Sequence, residues 1–174
     1  TTPANYFSMF HFDVDGAVQI TGSHNPPEFN GFKLSYKQCA FFGDQIQNLK
    51  ELIETENFEM GVGKVERVDI MKPYQQMLKE KIKLDKPIKA VIDCGNASGC
   101  LSAPQIYKEL GIETTELFCD VDGTFPNHHP DPTDDHNLLD LVAEIKSGIY
   151  NFGVAFDGDA DRVVAVDEKG GIIR

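Results

Sequence analysis

The sequence has few basic residues for its acidic ones, no closely spaced cysteine pair and no long apolar run. Lysine and arginine total 16 against 28 aspartates and glutamates, a formal net charge of −12. Such a surface repels phosphodiester backbones and anionic headgroups, so neither nucleic acid nor a membrane is expected as a general partner. No apolar stretch approaches the roughly 18 residues of a membrane-spanning helix, and no leader pattern opens the chain. The four cysteines, Cys39, Cys94, Cys100 and Cys119, form no C-x-x-C pair and fit no zinc spacing. They read as reduced thiols in or near a core, which points to a cytoplasmic protein. Repeats and low-complexity segments are lacking too. What remains is globular in composition: 41% hydrophobic and 25% charged over 174 positions, enough for one domain, or for one domain and part of another. Thr1-Thr2-Pro3-Ala4 at one end and Gly170-Gly171-Ile172-Ile173-Arg174 at the other are expected to be internal to a longer protein, the latter reading as the start of a strand.

Val18–Thr21 and Phe32–Tyr36 alternate and predict two short strands around a polar turn. Asp44 is placed to cap a helix with Ile46, Leu49, Leu52 and Ile53 on one side. Residues 58–69 have no helical period and suggest a connector or an edge strand. Lys72-Pro73 opens a helix bearing Tyr74, Met77, Leu78 and Ile82. From residue 88 the pattern is regular: a strand over 88–93, a helix over 98–110 ended by Gly111, and a strand over 112–118. Then come a helix from Asp134 or Asp135 to Gly148, a strand over 152–156 and another over 163–166. This alternation predicts a three-layer α/β domain with parallel strands, whose strand-end loops carry ligands. A boundary is expected near residue 70, with 1–70 a partial domain and 71–174 a nearly complete one.

Asp157-Gly158-Asp159-Ala160-Asp161-Arg162 carries the strongest local signal. Three carboxylates two residues apart follow an apolar strand, and their mutual repulsion is relieved by a divalent cation; all-oxygen ligation suits Mg²⁺ or Ca²⁺. Counted as an EF-hand loop, the segment reaches Glu168 at its twelfth position, but Arg162 stands where that loop needs glycine, and the flanks read as strands. A non-enzymatic calcium module is therefore a weaker alternative. The turn Thr21-Gly22-Ser23-His24-Asn25-Pro26-Pro27 offers a serine hydroxyl beside backbone N–H groups, stiffened by Asn25 and two prolines, and such a serine can form a covalent intermediate. From these seven residues alone a plain surface turn is an equal reading. Asp120-Val121-Asp122-Gly123-Thr124 matches the nucleophile motif of haloacid-dehalogenase-type phosphatases, with Asp120 as acceptor, and Asp13-Val14-Asp15-Gly16 repeats part of it. It runs into Pro126-Asn127-His128-His129-Pro130-Asp131-Pro132, which reads as a fixed, extended connection. Its histidines suit turn stabilisation better than metal binding.

In this order, the stretches at 21–33, 91–99, 121–132 and 156–162 resemble the α-D-phosphohexomutase family, in its bacterial phosphomannomutase/phosphoglucomutase branch. The resemblance implies a three-layer α/β/α fold with a mixed, mainly parallel sheet, preceded by a partial domain of the same type. It implies a phosphoserine at Ser23 that exchanges phosphate with hexose phosphates through a hexose 1,6-bisphosphate. It implies Mg²⁺ held by Ser23, Asp157, Asp159 and Asp161. His24, Asn25, Lys33 and Arg162 would contact substrate. His24, Lys33 and Arg162 would assist transfer, Lys33 as proton acceptor with a pKa lowered by burial or by Arg162. Third and fourth domains of the same parent chain would supply the sugar and phosphate contacts, so the 174 residues alone would be incomplete.

Overall fold

The computed structural model describes residues 1–26 and 28–174. Helix α1 (Thr2–His11) precedes an antiparallel sheet of β1 (Gly16–Ile20), β2 (Phe32–Tyr36) and β3 (Cys39–Ala40). Pro3 sits in the first turn of α1, where its missing N–H costs nothing, and the helix buries Thr2, Ala4 and Met9. Helix α2 (Asp44–Glu54) forms as its period predicts but buries no residue, and the sheet leaves Val18, Ile20 and Phe32 exposed. Residues 58–69 form no strand; they connect to α3 (Met71–Lys81).

The remaining elements are β4 (Lys89–Asp93), α4 (Ala103–Glu109), β5 (Glu113–Leu117), α5 (Leu139–Ser147), β6 (Phe152–Phe156), β7 (Val163–Asp167) and β8 (Ile172–Ile173). They build a five-stranded sheet in the order β5-β4-β6-β7-β8. The β5-β4-β6 half is parallel and the β6-β7-β8 half antiparallel, so the sheet is mixed. The helix expected over 98–110 is interrupted: a 3₁₀ turn, Ser98–Leu101, precedes α4, whose first turn holds Pro104. Likewise a 3₁₀ turn, Asp135–Leu138, capped by the Asp134 side chain, leads into α5.

Alternation along β6 sorts the two faces. Gly153 and Ala155 face α5, and a β-carbon at 153 would lie 2.7 Å from Leu141 Cδ1, so α5 rests directly on the strand. Leu138, Leu141 and Ile145 form a core there with Val91, Ala155, Val164 and Val166. Phe152 and Phe156 turn the other way, toward Ile106 of α4 and Tyr74 of α3. Helices thus cover both faces, the expected three layers. Strand order reverses at β4, and the ends of β4, β5 and β6 deliver residues 94–97, 118–129 and 157–162 to one rim. Ligand loops of open α/β sheets gather at such a rim. No helix of the described residues is long and apolar enough to cross a membrane.

Candidate active site

The loop from β1 to β2 is closed at its base by Thr21 N–H donating to the Gly31 carbonyl at 2.9 Å. Inside it, Asn25 N–H donates to the Gly22 carbonyl at 2.9 Å, and Ser23 N–H donates to Thr21 Oγ1 at 2.7 Å. These bonds hold Ser23 in the left-handed region, at φ 52°, a conformation that persists in a side-chain-bearing residue only where the surroundings enforce it. Asn25 is exposed and holds the turn through its backbone; among the described residues its side chain makes no hydrogen bond. Pro27, the second proline expected to stiffen the turn, lies outside the described residues.

The acidic loop faces this turn. Asp157 is fully buried and organises the loop from within: its Oδ1 accepts the N–H groups of Asp161 and Arg162 at 3.0 Å each, and its Oδ2 accepts from Arg162 Nε at 3.0 Å. Asp159, also buried, accepts at Oδ2 from Thr2 Oγ1 at 2.7 Å and from Lys33 Nζ at 2.5 Å. Lys33 also donates to Asp161 at 2.7 Å. The Ser23 hydroxyl lies 3.3 Å from Asp157 Oδ2 and 3.2 Å from Asp159 Oδ1. Arg162 Nη2 donates to the same hydroxyl at 3.2 Å and also contacts His24 Nδ1, which stands 3.3 Å from Ser23 Oγ. The loops are pressed together at Gly158, whose backbone abuts the Ser23 carbonyl, and the Gly158 carbonyl is held in turn by Ser98 N–H at 3.2 Å and Ser98 Oγ at 2.9 Å. A small cleft lined by Ser23, Asn25, Gly158, Gly123 and Phe125 opens beside the hydroxyl.

Burial pushes the Asp157 carboxyl above the usual carboxylate range, and repulsion from Asp159 and Asp161 adds to it, against the bonds from Arg162. Burial also resists charge on Asp159, but its bonds from Lys33, Thr2 and Ser23 win and hold it at about 2. Burial lowers the Lys33 pKa, as the sequence suggested, yet the bonds to Asp159 and Asp161 outweigh it and the net shift is upward. Arg162, the other expected cause of a lowered value, lies against Asp157, Ser23 and His24 instead. Three carboxylates against two cations leave one negative charge. One carboxylate oxygen from each of Asp157, Asp159 and Asp161 lies within 4.8 Å of the other two. All donors are oxygen, so the set fits a hard divalent cation.

Of the residues singled out from sequence, Ser23, His24, Lys33, Asp157, Asp159, Asp161 and Arg162 therefore meet at one place. Thr2, Ser98 and Gly158 belong to the same constellation and were not foreseen. Thr2-Pro3, with a proline suited to the first turn of a helix, is a helix-start signal that marks where Thr2 sits, though not what it binds.

The rival motifs do not form sites. Asp120 is exposed in the loop that follows edge strand β5, and the Asp122 carboxylate is spent on the N–H and hydroxyl of Thr124 within its own turn. The acidic loop is flanked by β6 and β7 rather than by helices, and Glu168 sits exposed in the next turn, so it is no EF-hand.

Comparison with known proteins places the chain in a family. A phosphomannomutase/phosphoglucomutase of Pseudomonas aeruginosa is 45% identical over 172 residues, 99% of this chain and 37% of that protein. A phosphoglucomutase of Neisseria meningitidis serogroup A is 47% identical over 174 residues, 99% of this chain and 38% of that protein. The chain thus spans well under half the length of these curated relatives. A crystal structure of a phosphoglucomutase/phosphomannomutase family protein from Burkholderia thailandensis superposes with a TM-score of 0.95 at 43% identity, covering 99% of this chain and 39% of that one. Residues 1–60 match the family description "Phosphoglucomutase/phosphomannomutase, alpha/beta/alpha domain I" and residues 72–171 match "alpha/beta/alpha domain II" of the same family. Its fold and these matches agree: the chain belongs to the phosphoglucomutase/phosphomannomutase family.

Proposed function

We propose that this chain is the phosphoryl-carrying part of a phosphohexomutase that interconverts hexose 1-phosphates and hexose 6-phosphates. The observation that carries the proposal is the Ser23 hydroxyl lying within 3.3 Å of two buried carboxylates and beside Arg162 and His24. In this reading Ser23 carries a phosphoryl group, gives it to the free hydroxyl of a hexose phosphate, and takes the other phosphoryl back from the resulting 1,6-bisphosphate. Arg162 and His24 bind the phosphoryl oxygens, and the Ser23 turn fixes the in-line direction of attack. Asp157, Asp159 and Asp161, with Ser23, would hold Mg²⁺. Bound there, Mg²⁺ neutralises charge on the transferring group.

Lys33 is the proposed proton acceptor for the attacking sugar hydroxyl. Between two carboxylates its ammonium holds its proton, so the role requires that Asp159 and Asp161 be engaged elsewhere, as cation binding would do. His24, Asn25, Lys33 and Arg162 form the substrate side of the site. A division near residue 70, a cytoplasmic location and sugar contacts from further domains of the parent protein belong to the same proposal, which gives these 174 residues alone no appreciable turnover.

The test is peptide mass spectrometry after exposure to a hexose 1,6-bisphosphate and Mg²⁺. Phosphate on Ser23, lost in Ser23→Ala, supports the reading. An acid-labile phosphate on Asp120, or an unmodified Ser23 in a full-length protein that turns over hexose phosphates, overturns it.

A further inference from the structure

The connection from β5 to α5 carries two adjacent histidines outside the constellation described above, and their rings engage different parts of the molecule. His128 Nε2 lies 3.1 and 3.2 Å from the two oxygens of buried Asp93, and its Nδ1 lies 3.0 Å from the His129 carbonyl. Both partners are acceptors, so the ring can donate from both nitrogens, and as an imidazolium it pairs with Asp93. The His129 carbonyl also accepts from Asp131 N–H at 2.8 Å, Pro130 is fully buried, and Asn137 Nδ2 donates to the Asp131 carbonyl at 2.8 Å. The backbone around His129 is therefore anchored on the five-stranded sheet and on the 3₁₀ turn that leads into α5. Its own ring leaves that anchorage: edge-on to Phe125, it hydrogen-bonds through Nε2 to the carbonyl of His24.

We propose that His129 is a positioning residue that latches the Ser23 turn against the acidic loop, with the His128–Asp93 pair fixing the strap that carries it. The proposal rests on the reading of Ser23 as phosphoryl carrier. Two consecutive carbonyls of the turn meet residues of the second half of the chain. That of Ser23 abuts Gly158, and that of His24 accepts from His129. The peptide between them sets the direction of the serine side chain, which sits at φ 52°. A backbone held in that region relaxes when its restraints are removed. Ser23 sits in the loop joining two strands of the antiparallel sheet, whereas every restraint named here comes from residues 93–158. His129 is thus a polar tie across two sheets, and losing it frees the reacting hydroxyl to drift.

The test uses the full-length protein containing this chain, as wild type, His129→Leu and His129→Gln. Leucine keeps bulk without a donor; glutamine restores an N–H at similar reach. The expected result is a fall in kcat of about tenfold or more in His129→Leu, with KM for hexose phosphate changed by less than about twofold. Glutamine recovers most of the loss, and only the leucine variant exchanges the amides of residues 23–25 faster with deuterium. If leucine prevents folding, His129→Asn, too short to reach His24, takes its place. Equal losses in the leucine and glutamine variants, or unchanged exchange at 23–25, overturn the latch. A wild-type protein with neither turnover nor phosphate on Ser23 would defeat the functional reading instead, and exchange at 23–25 would still decide whether His129 holds the turn.

Discussion

The Ser23 carbonyl oxygen rests so close to the backbone of Gly158 that a β-carbon at 158 would stand 1.9 Å from it. Glycine is demanded here by another loop's approach. Serine turn and acidic loop are keyed at this point, and the distances from Ser23 Oγ to Asp157 and Asp159 depend on it.

Gly158→Ala is accordingly expected to cost about 1–3 kcal/mol by overpacking and to weaken cation binding by pushing the turn away. Gly123→Ala, where no atom lies within 4 Å of the added carbon, should change stability by less than about 0.5 kcal/mol. Urea unfolding and Mn²⁺ titration of both variants check the contrast.

Thr2 contributes a hydroxyl at 2.7 Å and a backbone N–H at 3.0 Å to Asp159. Thr2→Val keeps the shape and the N–H but removes the hydroxyl that orients the carboxylate. Metal affinity should fall about 10–100-fold, as when other ligand-orienting bonds are lost, while α1 remains folded. Calorimetric titration with Mn²⁺, alongside circular dichroism, separates the two effects.

The His128–Asp93 pair predicts a pH dependence of stability. Burial disfavours the His128 charge, but the bonds to Asp93 and to the His129 carbonyl, with Asp140 further off, raise its pKa in the folded chain above 6.5. Since the folded value exceeds the unfolded one, the contribution is complete below about pH 6.5 and disappears as pH rises through the folded pKa. Melting temperatures of wild type and His128→Gln should converge as pH climbs through that window; parallel curves would contradict the assignment.

Core energetics should divide sharply between the two sheets. Leu141 is fully buried between α5 and β6, and Leu141→Ala should cost about 2–5 kcal/mol. Leu52 lies on α2, which buries nothing, and Leu52→Ala should cost less than about 1 kcal/mol. Denaturant unfolding measures both.

Much of the second half of the chain was legible because hydrophobic period and punctuation coincide there: 88–93, 112–118 and 152–156 are apolar or alternating runs bounded by glycine or acidic caps. Helix breaks were not legible, since the period of 98–110 carries through Pro104 while the backbone changes from 3₁₀ to α. Helix α1 escaped because Tyr6 and Phe10 face solvent, blurring its apolar stripe. The site's members could be named from short motifs, but not its wiring. That Lys33 reaches Asp159 and Asp161 while Arg162 takes Ser23 depends on contacts more than a hundred residues apart, which no local pattern encodes.

The twisted backbone at Ser23 also bears on which alcohol can serve there. Threonine offers an equivalent oxygen, but a branched β-carbon is poorly tolerated at positive φ. A Ser23→Thr exchange would thus keep a hydroxyl at this position and lose its aim: the conformation of the turn itself favours a primary alcohol there.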